Sequence, residues 1–216
     1  MRTNKISTLL ITTVICLIPV IFGLLVFDEL PPQIPIHFDA AGNPDNYLSK
    51  TLAVFGLPLL MATINLYAHF RLNNEPKIDH PSSALRQATK WAAPVVSVIF
   101  VPVSLVIAMG AKIPIVMLGT ALAGIAIVIS GNYLPKNRQN YTLGVKLPWT
   151  LHSETNWNKT NRFAGFVWVI GGMIIIANAF LSNWWVTLAV IVLLVVLPFL
   201  YSYLAYRLET NQSSNL

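Results

Sequence analysis

The chain has 216 residues, 55% of them hydrophobic and only 10% charged, with a formal net charge of +6. A soluble domain carries about 25% charged residues, so too little polar surface is present to cover a water-soluble globule, and the composition is that of a membrane protein. The one cysteine, Cys16, lies in an apolar run and excludes a disulfide framework.

Taken in order, the chain opens with Arg2 and Lys5 ahead of an apolar stretch that reaches about Phe27. That stretch is longer than a signal-peptide core and no A-x-A-like site follows, so a retained first helix is expected. Spanning a bilayer takes about 20 apolar residues as helix. Six segments qualify: 7–27, 51–70, 91–110, 114–133, 163–182 and 184–206. The expected fold class is an all-α integral membrane protein, a six-helix transmembrane bundle. Ser182 and Asn183 imply a tight helical hairpin between the last two spans, and "GAKIP" a similar one between the third and fourth. Pro19, Pro58, Pro94, Pro102 and Pro198 fall inside spans, where each removes a backbone hydrogen bond and is expected to kink its helix. Gly119 and Ala123 offer one site of close helix packing.

Basic residues set the expected topology. With the N-terminus in the cytoplasm, twelve of the fourteen Lys and Arg face inward, among them Arg71, Lys77, Arg86 and Lys90; only Lys50 and Lys112 face outward. Both termini are then cytoplasmic. The positive charge is explained by topology and by contact with membrane lipid, and a nucleic-acid partner is not expected.

The first outward segment, 28–50, breaks the apolar pattern with "LPPQIPIHFDAAGNPDN". It carries four of the eight acidic residues, Asp28, Glu29, Asp39 and Asp45, and such a cluster attracts cationic partners. Pro31, Pro32 and Pro35 hold the chain extended, and alternation puts His37 and Asp39 on one side of a strand. Gly42 and Asn43-Pro44 mark a turn. An ordered extracellular hairpin follows, with a His37–Asp39 hydrogen bond fixing its turn. Two potential ligands are too few for a metal site, so no metal and no cofactor is expected.

The inward segment 134–162 is polar yet aromatic, with Tyr141, Trp149 and Trp157, so it is expected to pack against the bundle. Ser153 is a good N-cap and Glu154 suits a first turn, so a helix is expected to run from here directly into the fifth span. Trp157, Asn161, Gly165 and Trp168 share one face of it, while Lys159 and Arg162 point elsewhere, toward phosphates. His152, Ser153 and Glu154 are adjacent in sequence and diverge by about 100° per residue on a helix, so they form no catalytic constellation. No nucleophile elbow, zinc-protease or phosphate-binding motif occurs, and no enzyme activity is expected. Within the spans Asn65, His69 and Asn178 are the main polar groups, read as interhelical hydrogen bonds.

Two stretches carry a family likeness. "LPPQIPIHFDAAGNPDNYLSK" looks like a small membrane domain patterned LP…P-x-H-F…G-x-P-D…SK, and "GNYLPKNRQNYTLGVKLPWTL…W…TNRFAG" resembles the SdpI family signature. The resemblance implies a bacterial multi-pass membrane protein conferring immunity to a secreted toxic peptide. A signalling role, retaining a cytosolic transcriptional repressor at the membrane, is implied with it. By position the outer motif is Pro35, His37, Phe38, Asp39, Gly42, Pro44 and Asp45. The inner motif is Asn132, Asn140, Gly144, Lys146, Trp149, Thr150, Trp157, Asn161, Arg162 and Gly165. Lys146 stands where the family usually has Arg, and Leu147 where Thr is common; Lys keeps the charge and loses the planar fork. The implied organisation is an N-terminal helical hairpin with the outer motif (1–70), a cytoplasmic loop and third helix (71–113), and a C-terminal SdpI-like four-helix-hairpin region (114–216). Two other readings of the residues stand beside immunity: a small transporter or exporter lined by Asn65, His69 and Asn178, and a membrane enzyme using His152 and Glu154 or His37 and Asp39.

Overall fold

A computed structural model describes residues 2–74 and 82–213, and among these, six helices are long and apolar enough to cross a membrane. Lys77 of the expected cytoplasmic charge set lies outside the described residues. The chain divides into two units, Met1–Asn73 with Gln87–Val116, and Asn74–Arg86 with Met117–Leu216.

The first unit begins with α1, Arg2–Leu25, which continues through Pro19. A short 3-10 turn at Phe27–Glu29 leads to an antiparallel hairpin of β1, Gln33–Phe38, and β2, Pro44–Ser49. Gln33 pairs with Ser49, Ile34 with Leu48 and Pro35 with Tyr47, and the register then slips on both sides of His37. The slips end the strict alternation that the sequence suggests from His37 on, and Pro35 is buried along with its neighbour Ile34.

The second span starts irregularly for a local reason. Pro58 has no N–H to give to the carbonyl four residues back. The chain widens beforehand into a π-helical segment, Leu52–Gly56, in which the Leu57 N–H reaches back five residues to the Leu52 carbonyl. Regular α2, Leu57–Asn73, follows with Pro58 in its first turn, so this proline sits at an entry rather than in the middle of a helix. α3, Ser83–Ala108, continues through Pro94 and Pro102 and starts well before the apolar run. Ser82 caps it, its Oγ accepting the Leu85 N–H at 3.3 Å, so Arg86 and Lys90 are helical. Charge marks where hydrocarbon ends, whereas the cap marks where the helix does.

The core of this unit ties the hairpin to helix ends. Leu30 and Ile34 are buried with Ala53, Val54 and Leu105, flanked by Phe22, Phe27 and Phe55. Ile34 is fully buried, and burying one such side chain is worth about 1.5–3 kcal/mol, which offsets the marginal stability of an isolated two-stranded ribbon.

The second unit holds α4, Ile115–Tyr133, from Met117 on, a short α5, Pro148–His152, then α6, Glu154–Ala179, and α7, Trp184–Ser213. The expected helix start at Ser153 is present: its Oγ accepts the Asn156 N–H at 3.0 Å. The expected tight turn between the last two spans is present too. Ser182 takes φ +50°, and Asn183 Oδ1 accepts the N–H of Trp185 at 3.1 Å, capping α7. Asn178 Nδ2 closes the turn on the Asn183 carbonyl at 2.7 Å and on Thr187 Oγ1 at 2.8 Å.

α4 and α6 meet backbone to backbone. A Cβ on Gly124 would lie 2.9 Å from the Gly172 carbonyl, and one on Gly131 would lie 2.9 Å from that of Gly165. The reciprocal distances are 2.8 Å from Gly172 to the Gly124 carbonyl and 2.7 Å from Gly165 to that of Gly131. Two glycines a heptad apart on each antiparallel helix form a seam no larger residue fits. Close packing of α4 on α6 therefore rests on Gly124 and Gly131 with Gly172 and Gly165.

Candidate functional site

The hairpin turn is built by Asp39. Its Oδ1 accepts the N–H of Ala41 at 2.9 Å and of Asn43 at 2.8 Å, and its Oδ2 accepts from Asn43 Nδ2 at 3.2 Å. The Asn43 backbone N–H, then the Asn43 side chain, hold the Asp39 carboxyl below its usual range. Gly42 takes φ +88° between them, a conformation glycine adopts without strain. Asp39 is thus committed to backbone and is not the partner of His37. The His37 ring Nδ1–H donates instead to Asp45 Oδ1 at 2.5 Å, across the hairpin. The register slip at His37 and the end of β1 at Phe38 place Asp39 in the turn, which corrects the expected His37–Asp39 bond.

Of the outer motif, then, Asp39 and Gly42 shape the turn, Pro35 is buried and Phe38 is half-buried, while Pro44, Asp45 and His37 are exposed. His37 and Asp45 side chains are 67% and 46% exposed, so the pair is offered to its surroundings. Tyr47 is exposed beside them, its N–H covered by Asn46 Oδ1 at 2.8 Å. Asp28 and Glu29 are exposed as well. Lys50, the cation of this segment, is turned inward: its Nζ donates to the Phe27 carbonyl at 3.3 Å and lies 4.5 Å from the Phe27 ring centre. The hairpin surface is acidic as a result.

The 134–162 segment uses its polar groups on itself. Asn137 is the hub. Its Oδ1 accepts the Ser82 N–H and Asn140 Nδ2, both at 3.2 Å, its Nδ2 donates to the Leu143 carbonyl at 2.7 Å, and its own carbonyl accepts the Trp157 indole N–H at 2.8 Å. Asn140 Oδ1 accepts the N–H of Thr142 and Leu143, turning the chain toward Gly144. Gly144 has φ +118°, and a Cβ there would lie 2.8 Å from the Trp157 ring. Both facts require glycine. Asn161 Oδ1 accepts the Val145 N–H at 3.0 Å, while Thr150 Oγ1 accepts the Leu147 N–H at 2.8 Å and donates to the Val145 carbonyl at 3.0 Å. Asn137, Asn140, Thr150, Trp157 and Asn161 are all buried. Buried polar groups need such partners, and here the motif supplies them to its own backbone.

The remaining inner-motif residues divide. Gly165 belongs to the glycine seam. Trp149 donates its indole N–H to Ser202 Oγ at 3.1 Å and packs on Phe199, Tyr203 and Tyr206 of α7 at centroid distances of 5.7–5.9 Å. Lys146 is exposed and donates to the Thr142 carbonyl at 2.9 Å, a contact a compact ammonium makes without a planar fork. Asn132 and Arg162 are exposed and outside the network. His152 Nδ1–H donates to the Pro148 carbonyl at 2.5 Å, and Ser153 Oγ donates to Glu209 Oε2 at 2.9 Å.

Asn65 and His69 bind across helices, as expected. Asn65 Nδ2 donates to Thr12 and Thr13 Oγ1, each at 3.0 Å, and His69 Nε2 lies 3.2 Å from Thr12 Oγ1. The Thr12 hydroxyl proton is directed at its own helix, to the Thr8 carbonyl at 2.9 Å, so Thr12 Oγ1 accepts from both. Sequence reading missed Thr12, Asn137 and Ser202, which sit in apolar or loop context without a motif of their own. Among the described residues no group of three His, Cys, Asp or Glu could hold a metal ion.

Two family models match the chain. The SdpI/YfhL protein family matches residues 136–202, which hold Asn140 through Gly165 of the inner motif. A domain of unknown function, DUF1648, matches residues 14–62, which hold the whole outer motif. The immunity protein SdpI of Bacillus subtilis (strain 168) is 28% identical over 201 residues, covering 92% of this chain and 95% of that protein. No solved structure matches.

Proposed function

We propose that the chain is a multi-pass membrane protein of the SdpI family, whose model matches residues 136–202, and that it confers immunity to a secreted toxic peptide, which it meets at the β1–β2 hairpin. A relative named as an immunity protein, aligned along nearly all of both chains, supports the role. One observation carries the site: the hairpin is held rigid from within by Asp39 and seated by Ile34, yet it leaves His37, Asp45 and Tyr47 exposed. A loop that served only to join two helices would not need an internally bonded turn. The acidic surface favours a cationic peptide or a cationic segment of one.

In this reading the hairpin faces outward and both termini face the cytoplasm, in line with the inward excess of Lys and Arg. The 134–162 segment is the structural floor of the second unit, its buried amides bonded to backbone rather than directed at a ligand. Protection is by binding, with no bond made or broken. Expression of this chain in toxin-sensitive cells, followed by challenge with a panel of secreted antimicrobial peptides, tests the role. Survival of expressing cells against at least one peptide is expected. Equal killing of expressing and control cells by every peptide, with the protein present in the membrane, would overturn it.

A further inference from the structure

α6 and α7 present one continuous stripe that no motif accounts for. On α6 it runs through Lys159, Phe163, Phe166, Ile170 and Ile174, spaced four, three, four and four residues, which is one helix face. On α7 it runs through Val190, Leu194, Leu197, Tyr201, Leu204 and Leu208, again one face. Two depressions lie along it. One of about 370 Å³ is bounded by Lys159, Tyr201, Leu204, Leu208 and Glu209. The other, of about 210 Å³, is walled by apolar side chains from Phe166 to Ile174 and from Val190 to Leu197, with Gly171 among its lining residues. The stacked rings of Phe163 and Tyr201, 4.4 Å apart, lie between them.

The stripe is polar at one end and apolar along the rest. From Lys159 to Ile174 the helix rises ~22 Å, against about 15 Å for half of a bilayer's hydrocarbon core. It therefore covers one leaflet plus its headgroup layer. The polar end coincides with the aromatic cluster of Trp149, Tyr203 and Tyr206, residue types that settle at headgroup level. At that end Lys159 Nζ and Glu209 Oε1 stand 3.7 Å apart, with the Tyr201 side chain on the same rim.

We propose that this stripe is a binding site for a single phospholipid carrying an ethanolamine headgroup. The lipid phosphate accepts from the Lys159 ammonium and the Tyr201 hydroxyl, the ethanolamine ammonium donates to the Glu209 carboxylate, and one acyl chain lies in the apolar depression. One cation and one carboxylate side by side complement a headgroup with one phosphate and one ammonium. A purely anionic headgroup meets the same lysine but is repelled by Glu209, and a choline headgroup has no N–H to give to it.

The test is native mass spectrometry of the full chain in detergent, titrated with phosphatidylethanolamine, phosphatidylglycerol and phosphatidylcholine of identical acyl chains. Phosphatidylethanolamine is expected to be retained best. Glu209→Gln is expected to abolish its advantage over phosphatidylglycerol, and Lys159→Gln to weaken both by up to about fivefold, the range for exposed charge contacts. Tyr201→Phe keeps the ring stack and is expected to weaken phosphatidylethanolamine alone or with phosphatidylglycerol, which decides the matter if either charge variant fails to fold. Equal retention of the three lipids by the unaltered chain, or an unchanged ranking and affinity in the variants that fold, would overturn the proposal.

Discussion

The indole N–H of Trp157 is bonded to the backbone carbonyl of Asn137 at 2.8 Å, in a place where neither group reaches solvent. The bond joins the first turn of α6 to the loop that follows α4, and the Trp157 ring then forms the wall against which Gly144 turns. Replacing Trp157 with Phe keeps most of the ring and leaves the Asn137 carbonyl without its donor. Such a loss costs about 1–3 kcal/mol. Thermal unfolding of the detergent-solubilised protein should show a lowered midpoint, and membrane abundance should fall with it. A midpoint equal to that of the unaltered chain would remove the bond from the stability account.

Gly165→Ala sets a methyl group 2.7 Å from the Gly131 carbonyl and from the Pro135 ring. Overpacking of this kind costs about 1–3 kcal/mol, and the yield of monodisperse protein should drop. Gly56→Ala is the control, since its nearest neighbour is a flexible Leu52 side-chain atom at 3.6 Å. Equal yields of the two variants would deny the seam its role.

Asn65→Leu removes the donor shared by Thr12 and Thr13. Interhelical bonds in membranes are worth about 0.6 kcal/mol on average and about 1.7 at most. A small loss of stability is expected in an unfolding titration, with α1 and α2 still inserted.

The hairpin has a defined response to acid. Asp39 is held below its usual range by the N–H groups of its own turn. Its contribution is therefore complete above the unfolded value of about 3.9 and is lost as pH falls through the lower folded value. Hydrogen exchange at the Ala41 and Asn43 amides should stay slow relative to the intrinsic rate from neutral pH to about 5 and lose protection only below about 4. Asp39→Ala should lose that protection at every pH.

His37→Ala or Asp45→Ala should weaken protection against the toxic peptide while changing stability by less than about 1 kcal/mol, because the pair is exposed. Survival curves and membrane abundance measured on the same cells separate the two effects. Unaltered survival with either variant would move the point of encounter away from this end of the hairpin.

Much of this was legible in the residues because water and hydrocarbon sort them coarsely. The spans follow from apolar runs, the turn from Gly42 and Pro44, the start of α6 from Ser153. Contacts across the chain were less legible. His37 could be assigned Asp39 only by assuming unbroken alternation, and two register slips turned it to Asp45 instead. Asn137 looks like any polar loop residue until the Trp157 indole is found above it. The π-helical entry to α2 was hidden because Pro58 signals a disturbance without saying which way the preceding turn will give. The glycine seam needs four positions on two helices in register, and no single helix displays that.

The seam also has a mechanical meaning. Where α4 and α6 meet, each glycine bears directly on a carbonyl of the opposite helix, so little side-chain give is left between the two backbones. Such close-set rods are expected to move together, so that a push on one end of α4 reaches α6 as along a single stiff lever.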